Sequence, residues 1–443
     1  MHRNLKRGGV SLLEANGYVA ALDIGTSEIK LVVGELLGGT LNILAEGCAP
    51  SAGVKRGAVV DIDKTVQAIK QAVEHAEAAL GDQIRSVYVA IEGEHIQIAP
   101  CHGIASVKRE DQEITDTDVI EVINSAQVMR LPDEMSVIDV IPSSFTVDQQ
   151  TGVVDPRGML GYRLEMHGKM VTGSKTILHS IRRSIERAGL KLEGFVLGNL
   201  ALGMSAASVD EIDLGIGLVD IGHEKTTVSV FYRGDLVYSY ILPVGGDHMT
   251  RDLVYKLNCK YQDAKVAKEE YGLALEEMAD ASEGFSFTNI NGEVTFEPQS
   301  EISYVLEARI EEMFTLMLNR VQKVGVPTLS GGYLLCGGAA ALPGIQELAT
   351  RVMGQKTRLY QPSSIGVRHP KYATAVGVLK YVLMSDHHVS KSRLEKPDDR
   401  VAVAKPDGTS QTGNVRDHDD EVGPDDRETK NGFGRLMEKL FGV

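Results

Sequence analysis

Two segments far apart in the chain carry residue types that suit the handling of a metal-bound phosphate. The first is Asp23-Ile24-Gly25-Thr26-Ser27, at the end of the apolar run Tyr18 to Leu22. The second is Asp220-Ile221-Gly222, directly after Leu218-Val219. An Asp at the end of a buried strand can hold the water shell of a magnesium ion. The neighbouring Gly lets the backbone approach a phosphate, and the N–H groups of a tight turn form an anion-binding concavity. Thr26 and Ser27 add hydroxyl donors, and Lys30 can reach a terminal phosphate as a point charge. A single such turn serves equally well as a plain hairpin corner. Two copies, each leaving an apolar strand and entering another strand and a hairpin, point to nucleotide binding. A third element, Tyr333-Leu334-Leu335-Cys336-Gly337-Gly338, is a strand ending in a glycine pair that admits a purine or ribose.

The elements that must position these residues follow from apolar periodicity. Tyr18 to Leu22 reads as a buried strand, followed by Ile29 to Val33, Gly38-Gly39 and Leu41 to Leu44, a β-meander. Val66, Ile69, Ala72, Val73, Ala76 and Leu80 fall on one face of a helix over 63–80. Strand-like runs at Val87 to Ile91 and Val137 to Ile141 flank a helix from Asp116 to Met129, which Asp116 or Thr117 can cap. Further helices are expected over 175–188, 300–324 and 371–384. The second meander runs through Val228 to Val230, with its hairpin at Arg233-Gly234-Asp235.

Composition bounds the rest. The chain has 443 residues, 43% hydrophobic, enough to bury a large core, and a net charge of −15 that disfavours broad binding to nucleic acid. Its four cysteines form no CxxC pair, so neither a disulfide scaffold nor a structural zinc site is expected, and a reducing cytoplasm fits. No signal peptide and no membrane-spanning helix is expected. Residues 386–431 hold 12 acidic and 8 basic side chains and no aromatics, which predicts a disordered linker. Beyond it, Phe433, Leu436, Met437, Leu440 and Phe441 form a one-sided helical stripe, with Arg435 and Lys439 on another face. So short a helix is unstable alone in water and folds when its apolar face meets a membrane interface, with anionic lipid favoured by its cations.

The order Asp-Ile-Gly-Thr-Ser, Val-Asp-Ile-Gly, Leu-Cys-Gly-Gly-Ala-Ala-Ala-Leu-Pro-Gly resembles the phosphate-1, phosphate-2 and adenosine motifs of the actin/Hsp70/sugar-kinase superfamily. Within it, Gly53-Val54-Lys55-Arg56-Gly57, Gly245-Gly246-Asp247-His248-Met249-Thr250 and Tyr372-Ala373-Thr374-Ala375-Val376-Gly377 are similar to the FtsA family of bacterial cell-division proteins. The resemblance implies an α/β, actin-like two-lobed fold with duplicated subdomains around a nucleotide cleft, plus a small α+β insert of SHS2 type. Its expected layout is lobe 1 over 18–83, the insert over 84–174, lobe 1 again over 175–200, lobe 2 over 201–365, and a return helix over 366–385. The linker over 386–431 and the membrane-targeting helix over 432–443 follow. The resemblance implies ATP and Mg as ligands. Asp23, Gly25, Thr26, Ser27 and Lys30 would contact phosphates and magnesium, and Asp220 and Gly222 would close the other side, with both Asp residues reaching the metal through water. Gly245 and Gly246 would open the next helix, Lys268 would stand on the ribose side, and Gly337 and Gly338 would flank the adenosine.

The chain departs from the family pattern at three places. The second phosphate loop, usually Gly-Gly-Gly-Thr followed by a small residue and Asp, is here Gly222-His223-Glu224-Lys225-Thr226-Thr227, which sets a carboxylate near the expected phosphate. Lys225 partly compensates. The crossing helix begins Leu197-Gly198-Asn199-Leu200-Ala201 with no acid to orient water, and Lys265 stands where the family often has Glu. Weak hydrolysis or impaired ATP binding is therefore expected, with no assigned catalytic residue, since an oriented base is worth on the order of 10²–10⁴ in rate. The implied role is to polymerise into protofilaments on the inner face of the cytoplasmic membrane at the division site. There it would tether FtsZ through the FtsZ C-terminal peptide and meet other divisome membrane proteins. The competing readings are a pilus-assembly actin-like adaptor and a small-molecule kinase, the latter needing an acidic base in the cleft.

Overall fold

The computed structural model describes residues 17–128, 131–280, 282–323, 325 and 328–385. The expected linker over 386–431 and membrane helix over 432–443, and all but the last residue of the N-terminal tail, lie outside the described residues.

The first sheet starts with β1 (Val19–Ile24), β2 (Glu28–Leu37) and β3 (Thr40–Pro50), an antiparallel meander. A small hairpin, β4 (Val54–Lys55) with β5 (Ala58–Val59), leads to helix α1 (Ile62–Leu80). Asp61 caps α1 through the Lys64 N–H, and Gly81 ends it in the left-handed region. Strand β6 (Ser86–Ile91) returns to pair parallel with β1.

The insert has its own sheet, β7 (Ile96–Ser106), β8 (Met135–Val147), β9 (Gln150–Val153) and β10 (Arg163–Ser174), in the order β7-β10-β8-β9. Helix α2 (Asp116–Ala126) covers one face, packing Val119, Val122 and Ile123 with Phe145, Leu164 and Met166. The α2 cap is Thr115, whose N–H donates to the Asp118 carboxylate at 2.9 Å, one residue before the expected Asp116 and two before Thr117. The run Val87 to Ile91 belongs to the first sheet, so the separate sheet opens at Ile96 rather than near residue 84. The run lies between β1 and the later strand Lys191–Leu197 in the first sheet, pairing parallel with both, and an apolar run alone does not say which sheet it joins.

The chain returns to lobe 1 with α3 (Lys175–Arg187) and β11 (Lys191–Leu197), then crosses through α4 (Gly198–Ala206). Helix α5 (Val209–Leu214) leads to the second meander, β12 (Ile216–Ile221), β13 (Thr226–Tyr232) and β14 (Asp235–Leu242). Next come α6 (Gly246–Leu257), α7 (Tyr261–Val266), the hairpin β15 (Gly284–Thr288) and β16 (Val294–Pro298), and α8 (Gln299–Lys323). The second sheet is completed by β17 (Tyr333–Cys336) and β18 (Thr357–Leu359), with α9 (Ile345–Met353) between them. Helix α10 (Ala373–Ser385) closes the fold.

The two large sheets have the same topology. Orders β3-β2-β1-β6-β11 and β14-β13-β12-β17-β18 each join an antiparallel meander to two parallel strands, with β1 and β12 in the centre. Helices α4 and α10 cross between them, and the crossing is tight: a Cβ on Gly377 would lie 2.8 Å from Leu202 Cα. The insert grows from lobe 1 yet touches lobe 2, where Lys169 Nζ of β10 pairs with Asp235 Oδ2 of β14 at 2.7 Å. Beneath that pair, Val171 and Ile98 of the insert join Leu218, Phe231 and Leu236 in one apolar cluster.

Candidate functional site

Because β1 and β12 are equivalent central strands, their C-terminal ends bring Asp23 and Asp220 to one cleft between the lobes. The cleft is a cavity of about 500 Å³, within the usual range for small-molecule sites. Asp23, Gly25, Thr26, Ser27 and Lys30 line it from lobe 1; Asp220, Gly222, Gly246, Lys268, Gly337 and Gly338 line it from lobe 2. Gly245 stands just behind the wall, where a Cβ would meet the Gly222 and His223 carbonyl oxygens at 2.6 and 2.7 Å. Gly337 has φ +90°, and a Cβ there would lie 2.2 Å from Asp220 Oδ1, so only glycine takes the strand past the carboxylate.

The charges are dense. Lys30 Nζ donates to Asp23 Oδ2 at 2.6 Å and to the Lys371 carbonyl at 3.3 Å. Burial alone would lower the Lys30 pKa, but Asp23, with Asp220 and Glu28, holds it above the usual ammonium value. Asp220 accepts the Thr374 hydroxyl at 3.3 Å, and its carboxyl is pushed up by burial and then by the charge of Asp23. Lys371 reaches Glu28 Oε1 at 3.1 Å at the rim.

A third carboxylate, not anticipated from the sequence, joins them. Glu92 follows β6, whose Ala90 lies beside Asp23 in the parallel register, so Glu92 emerges at the same cleft. Its Oε2 is 3.5 Å from Lys225 Nζ, and its buried Oε1 has no hydrogen-bond partner. Burial raises its pKa to about 7, with Asp220 and Asp23 adding to the rise and Lys225 opposing it. A Cβ on Gly198 would fall 2.5 Å from Glu92 Oε1, so this carboxylate fills the space at the start of α4. A carboxylate from the neighbouring strand thus stands at the start of α4, where Leu197–Ala201 carries none. The signal was present, as a carboxylate just past the end of a strand adjoining β1, but spacing along one segment does not show it.

The altered second loop is reshaped. Gly222 N–H donates to the Lys225 carbonyl at 2.9 Å, closing a tight turn. The Gly222 and His223 carbonyls accept from Gly246 and Asp247 at 3.0 and 2.7 Å, so the first N–H groups of α6 bind the loop itself. His223 lines the cleft, with a pKa lowered by burial. Glu224, expected near the phosphate, turns away: its Oε2 accepts the Arg56 N–H of the β4–β5 hairpin at 2.7 Å. Lys268 Nζ donates to Thr250 Oγ1 at 2.8 Å and to the Gly246 carbonyl at 3.1 Å, steadying the α6 entry.

The donor set suits a hard divalent cation and a polyphosphate. Carboxylates crowded enough to shift one another's pKa would be relieved by magnesium, which takes oxygen ligands and retains water. Lys30, Lys225 and the glycine-lined turns suit anionic oxygens.

Comparison with known proteins gives the family context. A family model for cell division protein FtsA matches residues 217–377, and one for the SHS2 domain inserted in FtsA matches residues 93–172. Cell division protein FtsA of Bacillus subtilis (strain 168) is 40% identical over 368 residues, 83% of each chain. Among solved structures, a chain of the PilM–PilN type IV pilus biogenesis complex superposes with a TM-score of 0.58 at 16% identity, covering 82% of this chain and 98% of its own. MreB5 of Spiroplasma citri bound to ADP gives 0.54 at 13%, covering 85% and 99%. At such identities these two structures establish the actin-like fold alone.

Proposed function

The chain belongs to the FtsA family of cell-division proteins, and from that premise we propose that it binds ATP with magnesium, polymerises into actin-like protofilaments and anchors FtsZ to the inner face of the cytoplasmic membrane. The observation that carries the nucleotide part is the convergence of the Asp23 turn, the Asp220 turn and the Gly337–Gly338 corner on one cavity. Asp23 and Asp220 would hold magnesium through its water shell. Lys30, Thr26 and Ser27 would bind phosphate oxygens, and Gly337 and Gly338 would admit the adenosine. Bound magnesium supplies charge neutralisation along the phosphates.

Hydrolysis is weak in this reading. Glu92 stands at the start of α4 with its pKa raised by burial, but its Oε2 already faces Lys225 at 3.5 Å. It meets the kinase reading's need for an acid in the cleft, yet family membership favours the division role. No helix among the described residues is long and apolar enough to cross a membrane, and in this reading attachment is peripheral, through residues 432–443.

The test is capture of the full chain, with magnesium and ATP, on an immobilised FtsZ C-terminal peptide. Retention that free peptide competes away is expected. No retention, with binding instead to a pilus inner-membrane peptide, would move the assignment to the pilus adaptor.

A further inference from the structure

The outer face of the insert's sheet, opposite α2, holds a cluster that the cleft chemistry does not use. His102 of β7 and His167 of β10 are direct partners in the antiparallel register. Their rings stack at 4.5 Å between centroids with 26° between planes. Glu165, two residues before His167 and so on the same face, places Oε2 at 2.9 Å from His102 Nε2. Its Oε1 is held by the Arg163 guanidinium at 2.9 Å. The Glu165 side chain is 17% exposed and that of His102 40%, so the carboxylate is sheltered while the imidazole stays open to solvent. One ligand atom from each of the three residues lies within 4.8 Å of the other two, the one such group found among the described residues.

We propose that His102, Glu165 and His167 form a binding site for a borderline divalent transition ion of the zinc class. Zinc takes imidazole nitrogen at about 2.0–2.1 Å and carboxylate oxygen at about 2.0–2.2 Å. Ligand atoms on such a tetrahedron stand roughly 3.3 Å apart. Reaching that spacing would require the two stacked imidazoles to turn so that one nitrogen of each meets the ion beside Glu165. Two nitrogen donors select against magnesium and calcium, which take oxygen. Arg163 orients the carboxylate from outside and leaves the oxygen nearest the imidazoles for the ion. Three protein ligands leave a fourth position open to the solvent side, for water or for a donor from a docked partner. Spacing along the sequence hides the site, because the two histidines meet only through strand register.

The proposal is independent of the nucleotide cleft and is tested on the full, metal-stripped chain by zinc titration against a chromophoric chelator. One equivalent should bind, and His102→Ala and His167→Ala should each weaken it by about tenfold or more. Glu165→Gln should weaken it as well. The double variant His387→Ala/His388→Ala, which removes the other histidine pair, should bind as the parent does, and a large excess of magnesium should not compete. Should alanine at 102 or 167 disturb folding, glutamine at both keeps the polar face and must still abolish the site. Zinc should also raise the melting temperature of the parent and not of the 102/167 double variant. The proposal is overturned if the double variant binds zinc as tightly as the parent, or if the bound equivalent disappears only with His387 and His388.

Discussion

Glu92 brings a carboxylate into a space that already holds Asp23 and Asp220, with Lys225 at 3.5 Å as its nearest cation. Its carboxyl titrates at about 7 in the fold against 4.5 for the free side chain. The native state therefore holds this proton more tightly than the unfolded chain, and stability is lost as pH rises between those values. Glu92→Gln should remove that loss. Denaturant unfolding at a series of pH values should show the variant equal to the parent near the free value. Above neutrality it should be more stable by on the order of 1–3 kcal/mol; a variant less stable than the parent above neutrality would refute the assignment. Residues of this kind set the limit of what a sequence discloses. Asp23 and Asp220 are legible because each carries its turn with it along the chain. Glu92 is not, because its meaning comes from the parallel pairing of β6 with β1 and from the room left by Gly198.

At the scale of elements, strand ends and one loop decide the cleft. The strands, helices and meanders are readable because apolar residues repeat at the strand and helix periods, and Tyr333–Cys336 matches its expectation residue for residue. The shape of the loop from Gly222 to Lys225 is not readable, because its partners are distant. Glu224 holds Arg56 N–H and Lys225 faces Glu92, so a loop that gave up two glycines has gained two contacts to the opposite lobe. These contacts hold the lobes together around whatever lies between them. Glu224→Ala should release a fluorescent ATP analogue faster, by about fivefold, with a smaller change in the association rate. Stopped-flow displacement reads both, and an unchanged release rate would show that the contact bears no load.

At the scale of the whole molecule, the duplicated sheets make the cleft. A net charge of −15 disfavours contact of the body with anionic lipid, so in the proposed reading attachment would fall to the cationic, apolar residues 432–443. Deleting them should leave the protein in the supernatant of a sedimentation assay with anionic liposomes; unchanged co-sedimentation would remove the anchor. The insert bridges the same two lobes by a different route. It leaves lobe 1 only a few residues after β6, past Glu92, and it grips lobe 2 through Lys169 and Asp235. Both of its connections, after β6 and into α3, are to lobe 1, so the insert braces the two lobes against each other. Any widening of the cleft must therefore either shear the Lys169–Asp235 pair and the apolar contacts beneath it or carry the insert along with the lobes.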